Sequence, residues 1–434
     1  MLRFILLLLW IPGLGFSQKY TLESAIAEGL KNRVELKNQK LLIEIANSQN
    51  AKINAKWLPQ VNASADLRWN TQLQTNILPF DITGQNPDGT TKVKFGLPFN
   101  NSLGVQADQK VFDPNKKNDI SINQNAVLQR EIDLETQTVS IKQVISEAYY
   151  AVLLNKELVK INLEAYQRAK AAKEAAETKF KIGTLLENDF NRFVLDENNA
   201  KVGIDKASLD VELAQSALKH QMAVSQTNEI EVTEELSQIL EKSVETYSLN
   251  FENRPEIKAE ENNYLLNGLN IDKQMANKRP TISAYANYSL LQLNSTPNPF
   301  ASGTWFPFNF VGIKLNVPIF NGKQNALNAT DFRIQQQINQ NTIKKLKEDF
   351  EQEARTSTKQ MLQAKLDLEQ TKKNINLAKN IFEVDAFRFD KGVLVYSDLK
   401  NSEYALKLAE NNYINAVYSF LLAELKYKKA TGNL

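Results

Sequence analysis

One twelve-residue pattern occurs twice. Residues 179–190 read KFKIGTLLENDF and residues 388–399 read RFDKGVLVYSDL, so that Phe180, Gly183 and Asp189 recur 209 positions later as Phe389, Gly392 and Asp398. The same offset carries LPFN at 97–100 onto FPFN at 306–309. A fixed offset of nearly half the chain marks an internal repeat, and it constrains the fold more than composition does.

The repeat is mostly helical. Residues 115–254 contain no proline, and neither do residues 319–434. Proline costs ~3 kcal/mol in a helix interior, so its absence over such lengths favours uninterrupted helix. Heptad spacing runs through both stretches, at Ile120, Val127, Leu134, Ile141 and Ala148, and at Met361, Leu368, Ile375, Phe382 and Phe389. A seven-residue period implies left-handed coiled-coil packing. The expectation is one helix over about 115–181 and another over about 323–390, each about 100 Å long at ~1.5 Å per residue. The twin pattern then forms the tips of two helical hairpins, 180–189 and 389–398. Gly183 and Gly392 stand where a helix ends in a left-handed residue. Return helices are expected over about 187–224 and 397–431.

Each hairpin is preceded by strands. Glu35 lies 24 positions before Pro59, and Glu256 lies 24 before Pro280; both stretches read as helices stopped by proline. Immediately afterwards the period becomes two. VNASADLRW puts Val61, Ala63, Ala65, Leu67 and Trp69 on one face, and ISAYANYSL does the same for Ile282, Ala284, Ala286, Tyr288 and Leu290. After a loop, LGVQADQKVF and VGIKLNVPIF alternate again. Strands are expected at about 61–73, 102–112, 281–293 and 309–320. Their length and alternation suit strands with lipid on one side and a polar lumen on the other. Trp69, Phe99, Trp305, Phe306 and Phe308 lie near strand ends, where interfacial aromatics sit; a soluble sheet core is the alternative reading. Four strands cannot close a barrel in lipid, so the chain must oligomerise through its sheet. Two copies give eight strands and three give twelve.

The first residues, MLRFILLLLWIPGLGFSQ, have a basic residue, an apolar run and a small-residue end, the pattern of a signal peptide over 1–17. The run is broken by Pro12 and Gly13 and is too short to span a membrane as a helix. The 434-residue chain has no Cys, so it needs no disulfide and offers no thiolate for catalysis or metal binding. Net charge is +2, which gives no footprint for nucleic acid. The one histidine, His220, sits in the helical run ALKHQM and reads as a packing or surface residue. No acid–base constellation stands out, so an enzyme is not expected, and no cofactor or metal is implied. A periplasmic coiled-coil adaptor or a structural coiled coil is the competing reading. Neither requires two hairpins interleaved with two pairs of alternating strands.

With the order helix, strand, loop, strand, long helix, tip, helix repeated, the chain resembles the TolC-like outer-membrane efflux proteins. The resemblance runs from TLESAIAEGLKNRVELK at 21–37 to ATG at 430–432, through WLPQVNASA, the doubled F-x-x-G-x-x-x-x-x-D tip and VPIFNGKQNA at 317–326. It implies a mainly α fold with membrane β: a homotrimer with a twelve-stranded outer-membrane β-barrel and a long antiparallel coiled-coil α-barrel projecting into the periplasm. Residues 18–225 would form the first structural repeat and 253–434 the second. The unrepeated segment 226–252 would contribute to an equatorial belt. The implied role is a passive exit duct in efflux or type I secretion. Its partners would be outer-membrane lipid, a periplasmic adaptor and an inner-membrane transporter. Docking would use the tips, at Phe180, Gly183, Thr184, Leu185, Phe389, Gly392, Val393 and Leu394.

The resemblance also implies that acidic residues just past the tips line a periplasmic constriction, here Asp189 and Asp398. A local role competes: an Asp early in a helix complements the dipole by ~0.3–1 kcal/mol. Asn188 and Ser397 beside them have N-cap chemistry. Where some members carry a second Asp one turn later, this chain has Asn401. The tyrosine and arginine that latch certain closed tips correspond to Phe389 and Leu394, so a gate here would be less anionic and less hydrogen-bonded.

Overall fold

The computed structural model describes residues 18–80, 89–242, 253–301 and 303–434. The expected signal peptide and residues 243–252 of the linker lie outside the described residues. In chain order the elements are β1 (Gln18–Tyr20), α1 (Leu22–Asn32), α2 (Val34–Ala55), β2 (Gln60–Trp69), β3 (Thr75–Leu78), β4 (Thr91–Lys94), β5 (Phe99–Phe112) and α3 (Lys116–Lys181). They continue with α4 (Glu187–Gln221), β6 (Ile230–Val232), α5 (Leu236–Lys242), α6 (Pro255–Ala276), β7 (Thr281–Asn294), β8 (Trp305–Asn316), α7 (Gln324–Asp390) and α8 (Tyr396–Ala430). The chain forms two compact units, and several helices contribute residues to both.

The unit made of Ile43–Gln129 and Asn262–Gln340 holds the sheet. Its order is β2-β5-β7-β8, antiparallel throughout, which leaves β2 and β8 as edges. Residues directly opposite in such a ladder share a face. One face therefore carries Val61, Leu67, Leu103, Val105, Ile282, Tyr288, Val311, Ile313 and Leu315. The other carries Asn62, Ser64, Asp66, Arg68, Ser102, Gln106, Ser283, Asn287 and Lys314. The apolar face is bare: Leu67 is 70% exposed, Val311 85% and Ile313 76%. The helical segments of this unit are joined by amides. Asn125 Nδ2 donates to the Asn262 carboxamide oxygen at 2.6 Å, Asn262 Nδ2 returns a bond to the Asn125 carbonyl at 3.1 Å, and Asn267 Nδ2 donates to Asn339 Oδ1 at 2.8 Å. Side-chain amide pairs of this kind tie the register of neighbouring helices, although the buried Asn125 Oδ1 has no partner.

The strands depart from the sequence expectation in three ways. The first stops at Trp69, and the residues beyond form a separate hairpin, β3 with β4, inside what reads as a loop. The second begins at Phe99, so half of LPFN belongs to the ladder. The fourth begins at Trp305 and ends at Asn316 rather than running over 309–320. Trp305, Phe306, Pro307 and Phe308 pair with Gln292, Leu291, Leu290 and Ser289, while Pro318 beyond has no N–H to continue the ladder.

The other unit takes in the residues up to Leu42, Arg130–Glu261 and Asn341–Leu434. Its core gathers Leu36, Ile141, Ile145, Tyr149, Leu218, Met222, Val417 and Leu421. β1 lies parallel to β6, pairing Gln18 with Ile230 and Tyr20 with Val232. Tyr149 Oη donates to the Tyr20 carbonyl at 3.1 Å and to Glu234 Oε2 at 3.0 Å, and the same carboxylate oxygen receives the Leu22 N–H at 2.8 Å. Burial pushes the Tyr149 hydroxyl pKa far up, helped by Glu234, so it remains a donor. Arg254, next to α6, is buried with its guanidinium 3.6 Å from the centre of the Phe350 ring. It binds Glu256 at 2.9 Å and Glu353 at 2.6 Å.

Candidate functional site

The two tips have matching backbone geometry. After α3, the Gly183 N–H donates to the Phe180 carbonyl at 2.9 Å and the Thr184 N–H to the Lys179 carbonyl at 2.9 Å. After α7, the Gly392 N–H donates to Phe389 at 3.0 Å and the Val393 N–H to Arg388 at 3.0 Å. This pair of bonds is the Schellman termination, which requires a left-handed residue. Gly183 has φ +77° and Gly392 φ +73°. The turns leave Thr184, Ile182, Leu186, Val393 and Val395 exposed, whereas Leu185 and Leu394 are partly buried. Phe180 stacks on Phe190 with centroids 5.2 Å apart, and Phe389 leans on Phe193 at 5.9 Å. Phe180 thus packs within its own hairpin, whereas Phe389 packs across to the other one.

The caps differ from the sequence expectation. The N-cap positions are Leu186 and Val395, both extended, and neither helix has a side-chain cap bond. Asn188 and Ser397 fall inside the first turn, because the Schellman turn brings the chain into the next helix two residues sooner. Asp189 and Asp398 are each three residues past the cap, and their N–H groups reach the Leu186 and Val395 carbonyls at 3.1 Å. Asp189 lies 3.7 Å from Arg192, while Asp398 and Asn401 are exposed.

Sequence reasoning missed a brace between the hairpins. Tyr396 on α8 donates its hydroxyl to Asp196 on α4. Lys400, one turn later, lies 3.0 Å from the same carboxylate and also binds Glu403. Burial and Asp196 together raise the Tyr396 pKa, so it stays protonated and donating. Phe193 packs edge-on against Tyr396 at 4.6 Å. Lys179 sits 4.9 Å over the Phe389 ring, and further along Arg168 on α3 binds the buried Glu410 on α8 at 3.3 Å. The detectable signal was Tyr396 and Lys400 spaced one turn apart on a face that also presents Glu403.

The five strand-end aromatics do not share a face. Trp69 pairs with Phe99, their rings stacked at 6.1 Å, and Trp305 pairs with Gln292 on that same apolar face. Phe306 and Phe308 alternate onto the polar face, so a single lipid-facing girdle cannot contain all five. The Trp305 indole N–H donates to the Pro299 carbonyl at 3.0 Å. Among the described residues there is no group of acidic and histidine side chains arranged to hold a metal. His220 is an exposed residue in the last turn of α4. No described helix is long and apolar enough to cross a membrane.

No family model matches this sequence, and no curated protein matches it. The fold does have solved counterparts. The chain is similar to CusC, whose structures describe conformational changes accompanying folding and transmembrane channel formation, with TM-score 0.72 and 16% identity over 94% of this chain and 91% of that one. It is similar to the Neisseria gonorrhoeae MtrE outer membrane channel in its open state, with TM-score 0.68 and 18% identity over 95% and 88% of the two chains. The Campylobacter jejuni CmeC outer membrane channel gives TM-score 0.67 and 15% identity over 95% and 85%. The chain shares the fold of these channels.

Proposed function

We propose that this chain, folded as outer-membrane channels are, is one protomer of a homotrimeric channel-tunnel. It would serve as the passive exit duct of a tripartite efflux or type I secretion assembly. The observation that carries the reading is the four-stranded sheet, with a bare apolar face, a polar opposite face and two unpaired edges. An open edge is not tolerated in hydrocarbon, so β8 of one copy must meet β2 of the next. β2 and β8 run oppositely, as an all-antiparallel closed barrel requires. Three copies give twelve strands, enough for an aqueous lumen, with the apolar face in outer-membrane lipid. The internal two-fold repeat would then place six hairpin tips at the periplasmic end. Residues 1–17 act as the signal peptide in this reading, and 226–252 as the equatorial linker.

The exposed tip residues Thr184 and Val393, with the turns set by Gly183 and Gly392, would meet a periplasmic adaptor that an inner-membrane transporter feeds. Asp189 and Asp398 would ring the periplasmic neck with carboxylates. Three like charges around a narrow aqueous opening repel one another and attract multivalent cations. Asn401 would make that neck less anionic than one with two adjacent rings. Planar-bilayer recordings test both levels of the proposal. The wild-type protein is expected to conduct, to prefer cations and to be obstructed by trivalent cations from the tip side. Asp189→Asn with Asp398→Asn is expected to abolish preference and block while conductance persists. Survival of both in the double variant leaves the aspartates as helix-dipole residues only. A wild-type protein that inserts and never conducts overturns the channel reading.

A further inference from the structure

The polar face of the sheet is interrupted along β8. Phe306, Phe308 and Phe310 alternate with Trp305, Pro307 and Asn309, so all three point to the side that elsewhere carries Asn, Ser, Gln and paired charges. They are 57%, 59% and 41% exposed. Phe308 and Phe310 meet edge to face with centroids 5.5 Å apart, and Tyr285 meets Phe310 in the same manner at 5.8 Å. The last contact is built in. Tyr285 pairs with Gly312, and a Cβ at Gly312 would lie 2.5 Å from the Tyr285 ring. The absence of a side chain at 312 lets the tyrosine lie across β8, where it extends the row of rings. Aromatic cover of a strand glycine is a recognised device for holding a sheet edge in register. From Phe306 to Gly312 the row covers about 20 Å at ~3.4 Å per residue.

We infer that this row is an aromatic track that contacts aromatic cargo on its way through the lumen. The inference rests on the channel reading, which makes the polar face the inner wall. The occupant follows from the surroundings. Opposite Phe306, Phe308 and Phe310 on β7 stand Leu291, Ser289 and Asn287, and on β5 beyond them Ser102, Gly104 and Gln106; charge enters at the far end, where Asp108 stands opposite Tyr285 and Lys314 follows Gly312 on β8. On the edge strand β2 the charges of the same face, Asp66 and Arg68, bind each other at 2.6 Å. A solute without a ring finds little to hold it along the three phenylalanines, whereas a planar aromatic one finds ring faces and edges. Lipid contacts the other face. A neighbouring β2 would bring Asn62, Ser64, Asp66 and Arg68 to this side, short or already paired groups that leave the rings bare. Shallow, repeated ring contacts suit passage, since a conduit must hold its cargo weakly at several places in turn.

Single-channel recordings test the track, with 4-nitrophenyl β-glucoside as the aromatic probe and methyl β-glucoside as the uncharged control. In the wild type the aromatic glucoside is expected to interrupt the current about tenfold longer than the control, the effect of one or two ring contacts. The triple variant Phe306→Ser, Phe308→Ser, Phe310→Ser is expected to conduct normally and to treat the two glucosides alike. Equal aromatic interruption in the triple variant and the wild type overturns the track while the channel stands. If the triple variant does not assemble, Tyr285→Ser decides by the same comparison, since it leaves β8 intact. A shortened aromatic dwell supports the track, and an unchanged one assigns the rings to packing between copies. A wild-type protein without conductance removes the inference together with the reading beneath it.

Discussion

Gly183 and Gly392 carry positive φ in turns that two backbone hydrogen bonds each make rigid. No atom lies within 4 Å of a Cβ placed at either position, so space is not the constraint; backbone conformation is. A β-branched residue there is held in the left-handed region at a cost of about 1–2 kcal/mol. Gly183→Val with Gly392→Val is expected to lower the thermal midpoint and, in cells, to reduce cross-linking to the adaptor. Unchanged cross-linking in a folded double variant counts against docking through the tips. Both glycines were legible in the sequence because the twelve-residue pattern recurs around them. The caps were not. Asn188 and Ser397 have the chemistry of caps, yet the tight turn assigns that place to Leu186 and Val395, which contribute backbone only. The brace from Tyr396 and Lys400 to Asp196 escaped because its members lie 200 residues apart in the chain, and spacing rules read only local neighbours.

At the scale of elements, periodicity located the strands as far as it alternated. Over 61–69 the period of two is unbroken and β2 occupies Gln60–Trp69. WFPFNF, by contrast, is apolar at five of six positions and contains a proline, so it reads as loop and yet forms the start of β8. Its pairing with β7 supplies the order that local pattern lacks. The segment leading into α6 is held differently, by Arg254. Burial works against the Glu256 charge, but the Arg254 guanidinium and backbone hydrogen bonding outweigh it and hold the pKa below its ordinary 4.5. The unfolded chain therefore takes up the proton first as pH falls. The stability from this carboxylate is present above about pH 4.5 and is lost as pH drops through the lower folded value. Glu256→Gln is expected to flatten that part of the acid-unfolding curve, measured by circular dichroism across pH 3–6. An identical acid limb in both proteins would remove Glu256 from the account.

For the whole molecule, the decisive quantity is the number of chains that share one sheet. The two open edges, β2 and β8, and the exposed apolar face require neighbours in a membrane. Light scattering of the detergent-solubilised protein, corrected for bound detergent, is expected to give three chains per particle. A folded single chain would sink the trimer, and two chains would point to a filled eight-stranded barrel. The sequence carried this inference only to the point of closure, since strand count per chain is legible and copy number is not.

The parallel pairing of β1 with β6 sets an order of events during synthesis. Leu22 and Glu234, which hydrogen-bond beside this pair, stand 212 residues apart. A chain delivered N-terminus first exposes Gln18–Tyr20 long before Ile230–Val232 arrives to receive it. Closing so long a loop has a large entropic cost, and contacts of this separation form slowly. Until then Tyr149, Tyr20 and Glu234 cannot complete their hydrogen bonds, and the core around Ile145 and Met222 lacks its cover. The first repeat therefore waits, incompletely folded, for the segment that follows it. That interval is when a chaperone has surface to hold and a protease has strand to cut.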